Sequence, residues 1–77
     1  MIEEKAVLRI MADVFGVDVS TLSAATSRDA VPGWDSLAHI QFIVALEAES
    51  GALFTPDEAL ALENVPTVMK ALREKAR

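Results

Sequence analysis

The sequence contains no cysteine, which excludes a disulfide framework, thiolate metal ligands and a cysteine nucleophile. Any thiol chemistry must therefore arrive on a cofactor. Aromatic residues make up 5% of the chain and hydrophobic residues 52%, so an aliphatic core is expected. That composition favours helices over sheets.

No segment approaches the ~20 apolar residues of a membrane span, and the first residues lack the pattern of a secretory signal. We therefore expect a cytoplasmic protein without membrane insertion.

Basic residues are scarce in the middle of the chain. Between residues 10 and 69 the only base is Arg28, against nine acids: Asp13, Asp18, Asp29, Asp35, Glu47, Glu49, Asp57, Glu58 and Glu63. Because Lys and Arg supply most of the affinity for nucleic acids, this acidic span argues against nucleic-acid binding. It favours partners with basic surfaces, although negative charge can also serve only to keep a small protein soluble.

The length predicts one domain over residues 1–77, expected to be monomeric and too small to enclose a large active site. Apolar residues at three- and four-residue spacings predict a first helix over residues 3 to 15, which Gly16 ends. The following stretch, residues 17 to 34, is rich in small and polar residues and predicts a long anchored loop. A single helical turn is expected around residues 19 to 22.

A second helix is predicted from about Ser36 to Ser50, with Asp35 or Ser36 as its N-cap and Gly51 as its end. Its apolar stripe is too wide for a seam between two helices, so we expect packing on more than one side. The stripe comprises Leu37, Ile40, Phe42, Ile43, Val44 and Leu46.

A short third helix is predicted after Thr55, which can form a capping box with Glu58 and is followed by Pro56 at the first helical position. Pro66 opens a final helix. Four basic residues near its end complement the helix dipole: Lys70, Arg73, Lys75 and Arg77. The sequence thus predicts an all-α fold of four helices with a long first loop and no strands.

The tripeptide Asp35-Ser36-Leu37 places a serine where the second helix begins. Most serines at such a position only cap the helix. A phosphodiester at that place, however, would meet free backbone N–H groups and the positive end of the helix dipole. Asp35, Ser36 and His39 also supply the residue types of a hydrolase triad, but Asp35 precedes the helix and no glycine-rich oxyanion loop is present. We therefore expect no catalytic residues.

Two further side chains near Ser36 have alternative interpretations. His39 is expected to be a partly exposed surface residue that tunes partner contacts, since one histidine with scattered carboxylates does not make a metal site. Trp34 is expected to anchor the loop against the helices. Its functional alternative is a hydrophobic contact offered to a modifying enzyme or to a cargo arm.

Residues 33 to 47, which read GWDSLAHIQFIVALE, resemble the prosthetic-group site and second helix of acyl carrier proteins, and the likeness continues into the Thr55 to Glu58 turn. The resemblance implies a small right-handed four-helix bundle. It also implies that a holo-synthase, a phosphopantetheinyl transferase, attaches 4'-phosphopantetheine from coenzyme A to Ser36 with magnesium. The arm would then carry acyl thioesters between enzymes of fatty-acid, polyketide or related biosynthesis. The chain would be a carrier and not an enzyme.

By the same resemblance, acyl-loading and condensing enzymes would dock near Asp35, Leu37, His39 and Glu47, and an acyl chain would lie between the second and third helices. Fatty-acid carriers usually have acids where this chain has Ala38 and Gln41. That difference predicts a less acidic docking face and a specialised pathway. Two alternatives stay open, namely a peptidyl or aminoacyl carrier and a helical interaction module that is never modified.

Overall fold

Four α-helices are present in the computed structural model, which describes residues 2 to 75. They are α1 (Glu4–Phe15), α2 (Ser36–Ser50), α3 (Pro56–Leu60) and α4 (Val65–Lys75). Over residues 2 to 75 there is no strand, only an isolated antiparallel bridge between Ser27 and Asn64. The predicted all-α class, long first loop and short third helix are confirmed. Arg77, predicted to complement the dipole of the last helix, lies outside the described residues.

The ends of α1 and α2 lie at Gly16 and Gly51, as predicted. Both glycines have positive φ angles, 67° and 75°. L-residues pay a steric penalty in this left-handed conformation, whereas glycine does not. The two glycines therefore set where the helices end and let the chain turn away from each helix axis.

The long loop between α1 and α2 is anchored along its length. It contains two 3₁₀ turns, Val19–Thr21 and Arg28–Ala30, of which the first matches the predicted single turn. The loop also bonds to the segment between α3 and α4. The Arg28 N–H donates to the Glu63 carbonyl at 2.8 Å, and the Val65 N–H donates to the Thr26 carbonyl at 2.9 Å. These bonds hold the loop against the junction between α3 and α4.

The core combines aliphatic and aromatic side chains. Its largest fully buried members are Phe42, Met11, Leu46, Leu62, Val7, Val65 and Val68. At the loop end, the Trp34 ring stacks on Phe15 with centroids 4.6 Å apart, and the Phe15 and Phe42 centroids are 5.4 Å apart. The expectation of an aliphatic core is therefore wrong at this end, where aromatic rings hold the loop on α1 and α2.

Helix α2 buries one face and exposes the other. Its buried residues are Ala38, His39, Phe42, Ile43 and Leu46. The outer face carries Leu37, Ile40 and Val44, which are 66%, 61% and 59% exposed. We call these three residues the outer stripe. α2 contacts α1 through Phe42 and α3 through His39, so the prediction of packing on more than one side is met there, whereas the described residues leave the outer stripe uncovered.

Candidate functional site

Ser36 is the first residue of α2, and its side chain is exposed. The helix is capped by its neighbour: the Ala38 N–H donates to Oδ1 of Asp35 at 2.8 Å. Of the two predicted caps, the structure selects Asp35. The Ser36 hydroxyl is therefore not needed for capping and lies at the solvent-facing start of a 15-residue helix, where the free N–H groups and the dipole favour a negative group.

His39 is buried, with 5% of its surface exposed, so the prediction of a partly exposed surface residue is wrong. The indole Nε1–H of Trp34 donates to Nδ1 of His39 at 2.9 Å. On the other side of the ring, Nε2 lies 2.8 Å from the carbonyl oxygen of Ala59 in α3. An indole nitrogen can only donate, so Nδ1 must be the acceptor and Nε2 must carry the proton. The ring is consequently a neutral bridge between two segments.

The hydrogen bonds of His39 also test the interpretation of Asp35, Ser36 and His39 as a hydrolase triad. Both imidazole nitrogens of His39 are engaged, one by Trp34 and one by Ala59. The structure therefore does not bring Ser36 and His39 together as a hydrogen-bonded pair, which a nucleophile activated by a histidine base requires. Trp34 anchors the loop as predicted, because it is buried, stacks on Phe15 and donates to His39.

The sequence contains one signal for the buried role of His39, which differs from the predicted exposed role. His39 shares a helical face with Phe42, Ile43 and Leu46, at spacings of three, four and seven residues. When this face, and not the one that carries the outer stripe, turns toward the core, the histidine is buried together with its neighbours. Since a buried polar ring needs hydrogen-bond partners, the only tryptophan, five residues earlier, was the available donor.

The predicted docking residues differ in accessibility. Asp35 and Leu37 are exposed beside Ser36. Glu47 is half-buried, and its Oε2 accepts the Phe54 N–H at 2.9 Å, so this carboxylate also supports the α2 to α3 connection. Ala38 is only 7% exposed. The expectation that Ala38 forms part of an exposed docking face is wrong, because that position points into the core.

A groove of about 320 Å³ lies between α2 and α3. Its lining comprises His39, Ile40, Ile43, Val44, Pro56, Ala59 and Leu60. The only ionisable side chain in that lining is His39, whose nitrogens already have partners. Ile40 is one helical turn beyond Ser36 and so lies on the same side of α2. The groove is thus an apolar surface that begins about one turn from the candidate serine.

Two carboxyl groups away from Ser36 have shifted acidity. Hydrogen bonding from Ser20 lowers the pKa of the Asp18 carboxyl below 3.8. The Thr55 N–H, followed by Lys75, lowers the pKa of the Glu58 carboxyl below 4.5. Both shifts come from local hydrogen bonds that stabilise the charged form. They mark the start of a loop turn and the start of α3, and neither belongs to the Ser36 site.

Over the described part of the chain, no group of three or more histidine, cysteine, aspartate or glutamate side chains is placed to hold a metal ion. No helix in that part is long and apolar enough to cross a membrane. Comparison with known proteins adds no relative: no protein-family model matches the chain, and a search of curated proteins finds no match.

Proposed function

We propose that this protein is an acyl carrier protein that bears a 4'-phosphopantetheine arm on Ser36. One observation carries the proposal: Ser36 is exposed at the start of α2 while Asp35 caps that helix. The hydroxyl is then accessible to a transferase, and the helix start favours the phosphate that would be attached there. The resemblance of residues 33 to 47 to the carrier site supports the same assignment.

The residues present fit the arm. The chain has no cysteine, so a thioester needs a thiol from a cofactor, which phosphopantetheine supplies when bound. In the attachment step the Ser36 oxygen bonds to the phosphorus next to pantetheine in coenzyme A. The diphosphate bond breaks, adenosine bisphosphate leaves, and the hydroxyl proton passes to the transferase. The free N–H groups at the start of α2 favour the resulting phosphodiester.

The groove between α2 and α3 supports aliphatic cargo. Its lining is almost entirely apolar, and it begins one helical turn beyond Ser36. An acyl chain placed there would bury apolar surface of the acyl chain and of the groove. The favourable free energy is about 25 cal/mol per Å² of apolar surface buried. The order of the four helices, with a long first loop and a short α3, agrees with the four-helix bundle that the resemblance implies.

The proposed partners are a holo-synthase, or phosphopantetheinyl transferase, and the acyl-loading and condensing enzymes of fatty-acid, polyketide or related biosynthesis. Their contact surface is proposed to be Asp35 with the exposed Leu37. His39 does not belong to that surface because it is buried. Glu47 contributes only the carboxylate oxygen that does not accept the Phe54 N–H. Of the two positions that favour a specialised pathway, only Gln41 remains exposed.

Mass spectrometry tests the proposal directly. The protein is incubated with coenzyme A, magnesium and a broad-specificity phosphopantetheinyl transferase. The wild type and a Ser20→Ala control should each gain one phosphopantetheine group, while Ser36→Ala should gain none. Ser20 is a suitable control because it is an exposed serine outside the α-helices. An unmodified wild type, or a modified Ser36→Ala variant, would overturn the proposal.

The uncovered outer stripe favours a second candidate, a helical interaction module that is never modified. Three exposed aliphatic side chains on successive turns of one helix provide a contact surface that needs no prosthetic group. The same mass measurement separates the two candidates. A peptidyl or aminoacyl carrier would gain the same mass as an acyl carrier, and differs in being charged by an adenylating enzyme.

A further inference from the structure

Helix α3 has few attachments of its own. None of its five residues is buried, and the first fully buried side chain after it belongs to Leu62. Two polar contacts join it to other helices. The Ala59 carbonyl accepts from His39 on α2 at 2.8 Å, and Oε1 of Glu58 pairs with Nζ of Lys75 on α4 at 2.9 Å. The Glu58 to Lys75 pair is exposed to solvent, where such pairs contribute little.

Trp34 bonds to the same ring that donates to Ala59. Nδ1 of His39 cannot carry a proton while it accepts from the indole N–H, and this forces the proton onto Nε2, where it is donated to Ala59. Without the indole donor, the Ala59 carbonyl would still favour the proton on Nε2, but Nδ1 would be a buried acceptor without a partner and the ring would be held from one side only. Trp34 therefore helps to orient the ring for an interaction with α3 that it does not itself make.

An aliphatic side chain would fill the space of the His39 ring without needing hydrogen-bond partners. Burying a polar ring is unfavourable unless its atoms are hydrogen-bonded, and a bonded pair needs a defined geometry. The three residues come from three segments, the loop at residue 34, α2 at residue 39 and α3 at residue 59. Their alignment fixes the position of α3 relative to the segment that leads into Ser36.

We propose that His39 is a positioning residue, a neutral latch that joins the Trp34 segment to α3 and so sets how far the α2 to α3 groove opens. His39 and Ala59 both line that groove, so the bond between them closes one part of it. When the bond is lost, α3 can move away from α2 because none of its own side chains is buried. The latch is a property of the unmodified chain; only its effect on cargo rests on the proposed function.

Two variants at position 39 each remove one of the two hydrogen bonds of His39, to Trp34 or to Ala59. In His39→Gln the side-chain amide nitrogen can occupy the place of Nε2 and donate to Ala59, but nothing accepts from Trp34. In His39→Asn the side-chain oxygen can occupy the place of Nδ1 and accept from Trp34, but nothing donates to Ala59. A third variant, Trp34→Phe, keeps an aromatic ring against Phe15 and removes the N–H donor. Each variant thus removes one contact of the latch.

The measurement is amide hydrogen exchange of α3, relative to that of α1, in the unmodified protein. The reporting amides are Ala59, Ala61 and Leu62, which donate to carbonyls within and around α3. His39→Asn should speed their exchange roughly two- to tenfold, the range expected for one lost hydrogen bond. His39→Gln and Trp34→Phe keep a donor to Ala59, so they should leave α3 closer to wild type than His39→Asn does. Equal acceleration of α1 and α3 in all variants would overturn the latch.

The hydrogen bonding of the two ring nitrogens of His39 gives an independent readout that a purely structural role would not change. Long-range ¹H–¹⁵N NMR of the wild type should show the Nε2–H form, which the Ala59 carbonyl also favours, so Trp34→Phe should keep that form and shift the ¹⁵N resonance of Nδ1 as its hydrogen bond is lost. A wild type in the Nδ1–H form, or an Nδ1 resonance unchanged in Trp34→Phe, would overturn the proposal even if the position 39 variants do not fold. Because neither measurement uses phosphopantetheine, failure of the latch and failure of the carrier function are distinguishable.

Discussion

The backbone of Gly33 crosses the end of α1 so closely that a Cβ atom at position 33 would overlap the carbonyl oxygen of Phe15. This contact, together with the stacking of Trp34 on Phe15, brings the last residues of the long loop onto the C-terminal end of α1. The start of α2, and therefore Ser36, is positioned from there. The placement of the candidate site thus depends on a glycine that has no chemistry of its own.

Replacing Gly33 by alanine should destabilise the fold, because backbone atoms of Phe15 cannot move aside as a flexible side chain could. We expect the free energy of unfolding to fall by roughly 1 to 3 kcal/mol, the usual range for overpacking, measured by urea denaturation. Gly16→Ala is the matched control, since its Cβ would meet nothing within 4 Å and would add only the strain of a positive φ angle. A Gly33→Ala protein as stable as wild type would contradict the close crossing.

The capping box at the start of α3 is confirmed, with the Glu58 N–H donating to the Thr55 hydroxyl at 3.2 Å and the Thr55 N–H donating to Glu58 at 2.8 Å. Thr55→Ala should lower the free energy of unfolding by about 0.5–2 kcal/mol, by chemical denaturation. Thr55→Ser keeps the hydroxyl and serves as the control. Equal stability of the alanine and serine variants would mean that α3 is frayed in the native state.

The lowered pKa of Glu58 predicts a defined pH dependence. A carboxyl group whose pKa is lower in the folded state contributes stability above its unfolded value, here 4.5, and loses it as the pH falls through the folded value. Glu58→Gln can keep the capping bond to Thr55 but loses the charge that pairs with Lys75. Its stability should therefore fall below that of wild type at neutral pH and converge with it in acid. The check is a set of melting curves from pH 7 to 3, and a difference that grows on acidification would refute the assignment.

The exposed position of Gln41 gives a prediction about partner choice. If a carboxylate at that position is what general fatty-acid enzymes recognise, Gln41→Glu should improve turnover of the loaded carrier by a housekeeping condensing enzyme. A single surface charge contributes about 0.2–1 kcal/mol, so the gain should be a few-fold at most, and it should shrink as salt screens it. A gain that is unchanged at high salt would rule out an electrostatic cause.

Ala38→Glu tests the second position at which fatty-acid carriers usually have an acid, and its expected result is the opposite of that for Gln41→Glu. Because Ala38 points into the core, a glutamate there would bury a charge without a partner. This variant should lose stability and gain nothing in turnover, which thermal unfolding beside the turnover assay would show. A stable Ala38→Glu protein with improved turnover would mean that position 38 faces the partner after all.

The ends of the helices were predictable because they depend on local chemistry. Gly16 and Gly51 adopt the left-handed conformation, and Thr55 pairs with Glu58, without reference to the rest of the fold. Which side of α2 is buried was not predictable in the same way. Its apolar residues surround the helix, so their pattern fits burial on either side, and only the packing of α1 and the aromatic rings decides between them.

That ambiguity explains the errors at the candidate site. The sequence pattern predicts His39 and Ala38 on an exposed face together with Leu37, whereas the structure places the first two in the core and Leu37 in solvent. The prediction for Ser36 depends on its position at the helix start, which is a local property, and its exposed placement at that start agrees with the structure. Its modification stays a prediction.

The single tryptophan of the chain also provides an optical consequence. Trp34 is buried, stacked on Phe15, bonded to His39 and only two residues from Ser36. Intrinsic fluorescence excited at the indole band therefore arises from this place alone. We therefore expect attachment of a group at Ser36, or movement of α3, to change the emission of Trp34, which can be recorded without any label on the protein.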